Sequence, residues 1–375
     1  MQVKRIRIDE FLNASKEQLV LDVRSPSEYV HAHIPSAINL PLFSDEERKQ
    51  VGTTYKQVSR EAAIKIGLDI FGPKMRSMVE AVELMIKKST PNAYGNEPPL
   101  ENDLKPIVFI YCWRGGMRSA AVAWLLDLYG YRVQVLAGGY KSFRNYVLKT
   151  FTLPFNLKII GGYTGSGKTL VLKALQKRGE TIIDLEAIAS HKGSAFGNIQ
   201  MIPQPSQEMF ENLLALELIE KCSDCPIELD PLAYSQTTGK MIWLEDESQR
   251  IGDLNLPNVF WNTMRAAPLC FLEIGFEQRL ENICEEYGAL ETEKLIHSTQ
   301  RICKRLGPMD TKNTIEFLEQ GNTKEAFRIL LKYYDKHYLK GLNNRSQLEK
   351  LLSILPCVSV TPANADLLKT QYQML

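Results

Sequence analysis

The chain has no long apolar run, no disulfide framework, no dominant charge and no internal repeat. No stretch of 18 or more apolar residues occurs among its 375 residues, so a helix of bilayer-spanning length is not expected. The opening MQVKRIRIDEFL lacks the continuous apolar segment of a secretory signal. Seven cysteines, odd in number and irregularly spaced, argue against a disulfide scaffold and for a reducing, cytoplasmic setting. One C-x-x-C pair occurs, Cys222 with Cys225. Zinc would need a second pair or histidines at ligand spacing, so the pair reads as incidental and no resident metal centre is assigned. The formal net charge of +1 neither demands nor excludes a nucleic-acid partner, because a local basic face can hide in a balanced total. Residues 301–350 suggest such a face, with 11 Lys/Arg against 6 Asp/Glu.

The length implies about two domains, and two βα alternations divide it. LVLDVRS (19–25) is an apolar run ending in charge, as in a buried parallel strand. A second strand is expected near AINL, then two amphipathic helices over 45–67 and 73–88 and a Pro/Gly/Asn loop over 89–103. The strand IVFIYC (107–112), a helix over 119–129 and the strand YRVQVLAGG (131–139) complete the first alternation. A connector near 150–156 leads to the strand LKII, the loop GGYTGSGKT and the helix LVLKALQKRG. TIIDLE (181–186), KMIWLEDES (240–248) and APLCFLEI (267–274) read as further strands, and 291–355 as mostly helical. This pattern predicts α/β domains with parallel sheets covered by helices. The boundaries are 1–148 and 149–375.

YCWRGGMRS (111–119) lies between the first of these strands and its helix, with Cys112 six residues before Arg118. Free N–H groups at a helix N-terminus favour an anion. Gly115 and Gly116 allow successive amides to turn inward, and Arg114 and Arg118 add positive charge. That setting favours a reactive thiolate over an inert thiol.

These residues, together with LDVRSPSEYVHAHIPSAINLP, resemble the rhodanese superfamily. The resemblance implies that Cys112 carries sulfur or selenium, with Asp22 and Arg24 near the loop and Trp113, Gly115, Gly116, Met117 and Ser119 forming it. Two departures stand out. Ala32 replaces the usual glycine before HIP. The loop is one residue longer than usual, matching the dual-specificity phosphatases of the same fold and suiting a phosphate-bearing substrate.

GGYTGSGKT holds the pattern G-x-x-x-x-G-K-T between a strand and a helix, a strong signal for a phosphate loop. The amides of Gly162, Thr164, Gly165, Ser166 and Gly167 would cradle a di- or triphosphate. Lys168 would bridge its outer oxygens, and Thr169 can ligate Mg²⁺. Asp184 and Glu186 are expected to end the next strand, and Glu245, Asp246 and Glu247 a later one that includes the better candidate for a metal-side acid, to hold Mg²⁺ or orient the substrate base. Arg250 and His191 are supporting candidates.

Taken whole, the sequence resembles the tRNA 2-selenouridine synthases. CWRGGMRS, GGYK, GGYTGSGKT, IDLEAIASHKGSAFG, QPSQEMFEN, LEDESQRIG and YYDKHY carry the resemblance in order. It implies a rhodanese-like domain followed by a P-loop domain with a helical C-terminal part. It also implies conversion of wobble 2-thiouridine, in the anticodon region of tRNA, to 2-selenouridine. That chemistry passes through an S-geranyl intermediate and uses geranyl diphosphate and selenophosphate as substrates. Cys112 would accept selenium as a perselenide-type species, stabilised by Arg114 and Arg118. No tightly bound cofactor is expected; Mg²⁺ at the diphosphate is open, as is the oligomeric state. Arg301, Lys304, Arg305, Lys332 and Lys336 would contact tRNA phosphates, and Tyr333, Tyr334 or Tyr338 would either stack on a base or pack in the core. Two rivals remain: a rhodanese-fold phosphatase with a regulatory P-loop domain, and an RNA-associated NTPase whose rhodanese half only docks partners.

Overall fold

A computed structural model describes residues 3–89, 106–199, 201–222 and 240–373. The chain divides into two compact units, Met1–Lys149 and Thr150–Leu375. Cys225 and most of the 89–103 loop lie outside the described residues.

The first unit holds five strands: β1 (Lys4–Ile6), β2 (Leu19–Asp22), β3 (Ile38–Asn39), β4 (Ile107–Tyr111) and β5 (Arg132–Leu136). Their order is β1-β5-β4-β2-β3, and every pair is parallel. Val108, Phe109 and Ile110 of β4 are fully buried, which is why this strand reads as a continuous apolar run rather than an alternation. β1 was not anticipated, because its three residues KRI bury only Ile6. The expected pair of helices is broken elsewhere. Helices run Asp45–Gln57 and Arg60–Ser89, and Pro73 lies inside the second. The Ser59 hydroxyl accepts from the Ala62 amide at 3.1 Å, so a capping serine, not the proline, sets the break.

The second unit holds β6 (Leu157–Gly161), β7 (Thr181–Ile182), β8 (Ile242–Glu245), the antiparallel ribbon β9 (Arg250–Ile251) and β10 (Leu254–Asn255), β11 (Leu269–Ile274) and β12 (Leu352–Cys357). The main sheet is parallel, in the order β12-β11-β6-β8-β7. From β6 the chain first moves to β7 and β8 on one side, and later to β11 and β12 on the other. The carboxyl ends of the strands beside such a switch point are where open α/β sheets bind ligands. β12 corrects the expectation of helix through 355. Its burial follows edge-strand alternation on only part of its length, and its leucines fit a helical spacing as well.

Two apolar clusters support this unit. One packs Val171, Leu172 and Leu175 of the helix Lys168–Lys177 onto the sheet. The other joins Phe196, Ile283, Phe327, Leu330 and Leu331 among the C-terminal helices. Burying a side chain of this size is worth about 1.5–3 kcal/mol.

Candidate functional site

In the first unit, Cys112 follows β4, and the helix Met117–Leu128 begins five residues later. Gly139 brings the turn after β5 directly against this loop. A Cβ there would sit 2.3 Å from the Cys112 carbonyl and 2.4 Å from the Gly115 amide, and its φ of +59° is left-handed, so only glycine fits. The Tyr140 and Lys141 amides then bond the Cys112 and Trp113 carbonyls at 2.8 and 3.0 Å. The first two carbonyls of the loop are thus held by the turn after β5. Among the described residues, no amide of 113–117 donates a hydrogen bond within the protein. Amides without partners form a seat for an anion.

Cys112 itself is 3% exposed, with Sγ 3.2 Å from the Ser119 hydroxyl. The thiol therefore lies beneath the loop, among the buried side chains of the core, rather than open to solvent. Trp113, Arg114, Gly116 and Met117 are exposed around it. Arg118 turns to Glu28, Nη1 to Oε2 at 2.7 Å, so its charge is shared rather than free. Glu28 also accepts from the Ser25 amide and lies 3.4 Å from Arg48 Nε. Burial pushes its carboxyl up, but Arg118, the Ser25 amide and Arg48 outweigh burial and hold it below its ordinary value. Asp22 and Arg24 form a fully buried pair at 2.6 Å. Arg24 donates to the Ala32 carbonyl and covers the Tyr140 ring at 3.9 Å. They buttress the turn that holds the loop, through the Tyr140 ring.

In the second unit the phosphate loop connects β6 to the helix Lys168–Lys177. Its outward carbonyls are tied down. Arg279, 3% exposed, donates to Thr164 O at 3.0 Å while paired with Asp335 at 2.8 Å. Asn282 donates to Gly165 O at 3.2 Å. Among the described residues, the amides of Gly165, Gly167 and Lys168 have no acceptor in the protein. Lys168 Nζ reaches the Gly162 carbonyl at 3.2 Å, and Ser166 Oγ is buried without a partner.

The acids separate into two groups. Glu245 at the end of β8, Glu247, and Glu186 bring carboxylate oxygens within 4.8 Å of one another. Thr169 Oγ1 lies 3.2 Å from Glu186 Oε2 and 3.0 Å from Glu245 Oε2. Burial first and mutual repulsion second push Glu245 well above the ordinary carboxylate range and Glu247 to about 8. Glu186 also rises, mainly through burial. Glu245 Oε1 is buried without a partner. Crowded oxygens with one unmet acceptor are suited to a divalent cation. Glu245 and Glu247 are two of the three acids expected on the metal side, and Glu186 joins them where Asp246 does not.

The remaining candidates are structural here. Asp246 binds Arg345 at 2.6 Å and the Tyr338 hydroxyl at 2.8 Å. Asp184 does not end a strand: it caps the short helix Leu185–Ala189 through the Ala187 amide, and Glu186 sits in that helix's first turn. Leu185 and Ala189 bury one face of that helix, which a strand-like TII run conceals. His191 is buried and accepts from the Gly193 amide at 3.1 Å. It shapes the loop at Lys192–Phe196, and burial followed by Arg301 lowers its pKa. Arg250 is exposed and bonds Gly252 O and Asp253 within its own ribbon.

A cavity of about 840 Å³ opens at the phosphate loop. One side carries Lys168, Thr169 and the three glutamates; the other is apolar, with Phe196, Ile283, Phe327, Leu330 and Leu331. Arg305, Tyr333 and His337 also line it. Arg279, Asn282 and Arg345 were missed in the sequence, since none lies in a recognisable motif, and Glu28 was passed over inside LDVRSPSEYVHAHIPSAINLP. Of the two outcomes expected for Tyr338, the structure shows packing. YYDKHY contains Tyr338 and Asp335 but does not reveal their partners.

Two family models match the chain. A rhodanese-like domain covers residues 7–69, and the tRNA 2-selenouridine synthase AAA domain covers 155–351. A tRNA 2-selenouridine synthase of Bdellovibrio bacteriovorus is 35% identical over 292 residues, 76% of this chain and 69% of the relative. One from Shewanella halifaxensis is 34% identical over 291 residues, 76% of this chain and 71% of the relative. Among solved structures, the N-terminal domain of a Clostridium difficile 630 protein described as ATP/GTP binding is 35% identical. It covers 39% of this chain and 99% of its own, with a TM-score of 0.32.

Proposed function

Because the chain belongs to the tRNA 2-selenouridine synthase family, we propose that it converts wobble 2-thiouridine of tRNA to 2-selenouridine through an S-geranyl intermediate. In the first step the thiocarbonyl sulfur attacks C1 of geranyl diphosphate; the S–C bond forms as the C–O bond breaks, and diphosphate leaves. An alkylated sulfur departs far more readily than the neutral thiocarbonyl. In the second step the selenide-level selenium of selenophosphate attacks C2 of the base, the C2–S bond breaks and geranylthiol leaves. Water cleaves the P–Se bond to release phosphate.

The observation that carries this reading is the cavity in which a phosphate loop meets an apolar wall. Open amides at 165, 167 and 168, with Lys168, suit the diphosphate and its growing negative charge on departure. Phe196, Ile283, Phe327, Leu330 and Leu331 suit a hydrocarbon chain better than a nucleotide's sugar and base. Glu186, Glu245, Glu247 and Thr169 would hold Mg²⁺, and the buried, partnerless Glu245 Oε1 fits that use. The cation would neutralise diphosphate charge.

The Cys112 loop serves the selenium step. Its amides and Arg114 suit the tetrahedral phosphate of selenophosphate, with the Cys112 thiol beneath the loop positioning the reacting selenium without changing its oxidation state. A phosphatase would need no second phosphate seat, and a docking rhodanese half would need no open ring of amides. Calorimetry tests the first step's site: geranyl diphosphate should bind at least tenfold tighter than pyrophosphate, and tighter than ATP. Equal affinities, or preference for ATP, would contradict the assignment.

A further inference from the structure

Arg305, Tyr333 and His337 lie at one border of the cavity and are not used by either chemical step. They come from two helices, Cys303–Leu306 and Thr323–Asn343. The ring centroids of Tyr333 and His337 are 4.5 Å apart. Tyr333 is half-buried and His337 exposed, so the pair presents one anchored and one open aromatic surface. Its two tyrosine neighbours differ. Tyr334 is fixed by the Ala195 amide at 3.3 Å, and Tyr338 by Gly162 and Asp246. Tyr333 instead meets the Arg305 side chain, which sets an aromatic face and a cation side by side at the rim.

Exposed cations surround the pair. Arg301, Lys304, Arg305, Lys332, Lys336 and Lys340 are all exposed. Among the described residues, none of the six has a carboxylate partner within salt-bridge distance. After burial, the charges of Arg305, Lys340 and Lys336 hold the His337 imidazole below its ordinary value, which places three cations in electrostatic reach of one ring. Elsewhere in this unit basic side chains such as Arg279, Arg328 and Arg345 are paired with acids.

We infer that this rim is an RNA-binding platform, on which Tyr333 and His337 stack one unpaired base while Arg305 contacts an adjacent phosphate. Aromatic faces beside unpaired cations are the chemistry of single-stranded nucleic-acid recognition. A base must leave its stack to reach a cavity of this kind. The rim also borders the phosphate loop, so a base resting there approaches the diphosphate seat. The inference rests on the proposed tRNA activity and adds to it the side chains that receive the nucleotide.

The test uses the full-length protein and an anticodon stem-loop RNA bearing 2-thiouridine, followed by fluorescence anisotropy across a salt series. Replacing Tyr333 and His337 together by alanine should weaken binding roughly 5- to 150-fold, the worth of one base–aromatic stack. Tyr333→Phe should bind like the parent protein. Arg305→Gln, at an exposed position that has no carboxylate partner and whose side chain meets Tyr333, should flatten the log–log salt dependence by about 0.7. Unchanged affinity in the double variant together with an unchanged salt slope in Arg305→Gln would overturn the platform. Parent protein that produces no modified nucleoside from the same RNA would instead overturn the underlying activity, a separate readout.

Discussion

The hydroxyl of Tyr338 accepts a hydrogen bond from the Gly162 amide at 3.1 Å, across 176 residues of sequence. The same hydroxyl donates to Asp246 at 2.8 Å. One phenol thus joins the start of the phosphate loop, the end of β8 and the helix Thr323–Asn343.

Tyr338→Phe should therefore destabilise the second unit by about 1–3 kcal/mol, since it leaves a buried amide and a carboxylate oxygen unmet. Pyrophosphate affinity should fall with it, because the first turn of the loop loses its anchor. Urea denaturation and calorimetry check both; a variant as stable as the parent would show that the phenol only fills space.

Much of this site was legible because its chemistry is local. GGYTGSGKT and CWRGGMRS each supply their glycines, cations and helix start within nine residues, so motif and geometry coincide. What the sequence hid was tertiary. Asp246 lies between Glu245 and Glu247, and only packing shows that it faces Arg345 while they gather with Glu186. Arg118 reads as an anion ligand, yet Glu28, 90 positions earlier, takes its charge. In the fold, strands buried on both faces announced themselves, whereas β1 and β12 escaped. Three residues give no period, and an edge strand of leucines resembles a helix.

The three glutamates predict a cation response. Mg²⁺ should raise pyrophosphate affinity in the parent protein, and Glu245→Gln should abolish that gain. The same substitution should not lower stability without metal, because an amide retains an acceptor for Thr169 and ends a buried repulsion. Calorimetry with and without Mg²⁺ measures the gain, and thermal melting the stability. Magnesium-dependent binding that survives Glu245→Gln would remove the cluster from the account.

Glu28 predicts acid sensitivity in the first unit. Its pKa is depressed in the folded state, so its contribution is present above the ordinary glutamate value of about 4.3. The contribution is lost as pH falls through the depressed value. Between these limits Glu28→Gln should show a shallower loss of stability with acid than the parent. Thermal melts from neutral pH down to about 3 provide the comparison, and parallel pH profiles would refute the pairing with Arg118 as its cause.

The division of labour between two anion seats is tested most directly by mass spectrometry of nucleosides from tRNA incubated with geranyl diphosphate and selenophosphate. The parent protein should yield 2-selenouridine. Cys112→Ala should stall at S-geranyl-2-thiouridine, and Lys168→Ala should leave most 2-thiouridine unmodified. Full selenouridine formation by both variants would contradict the account.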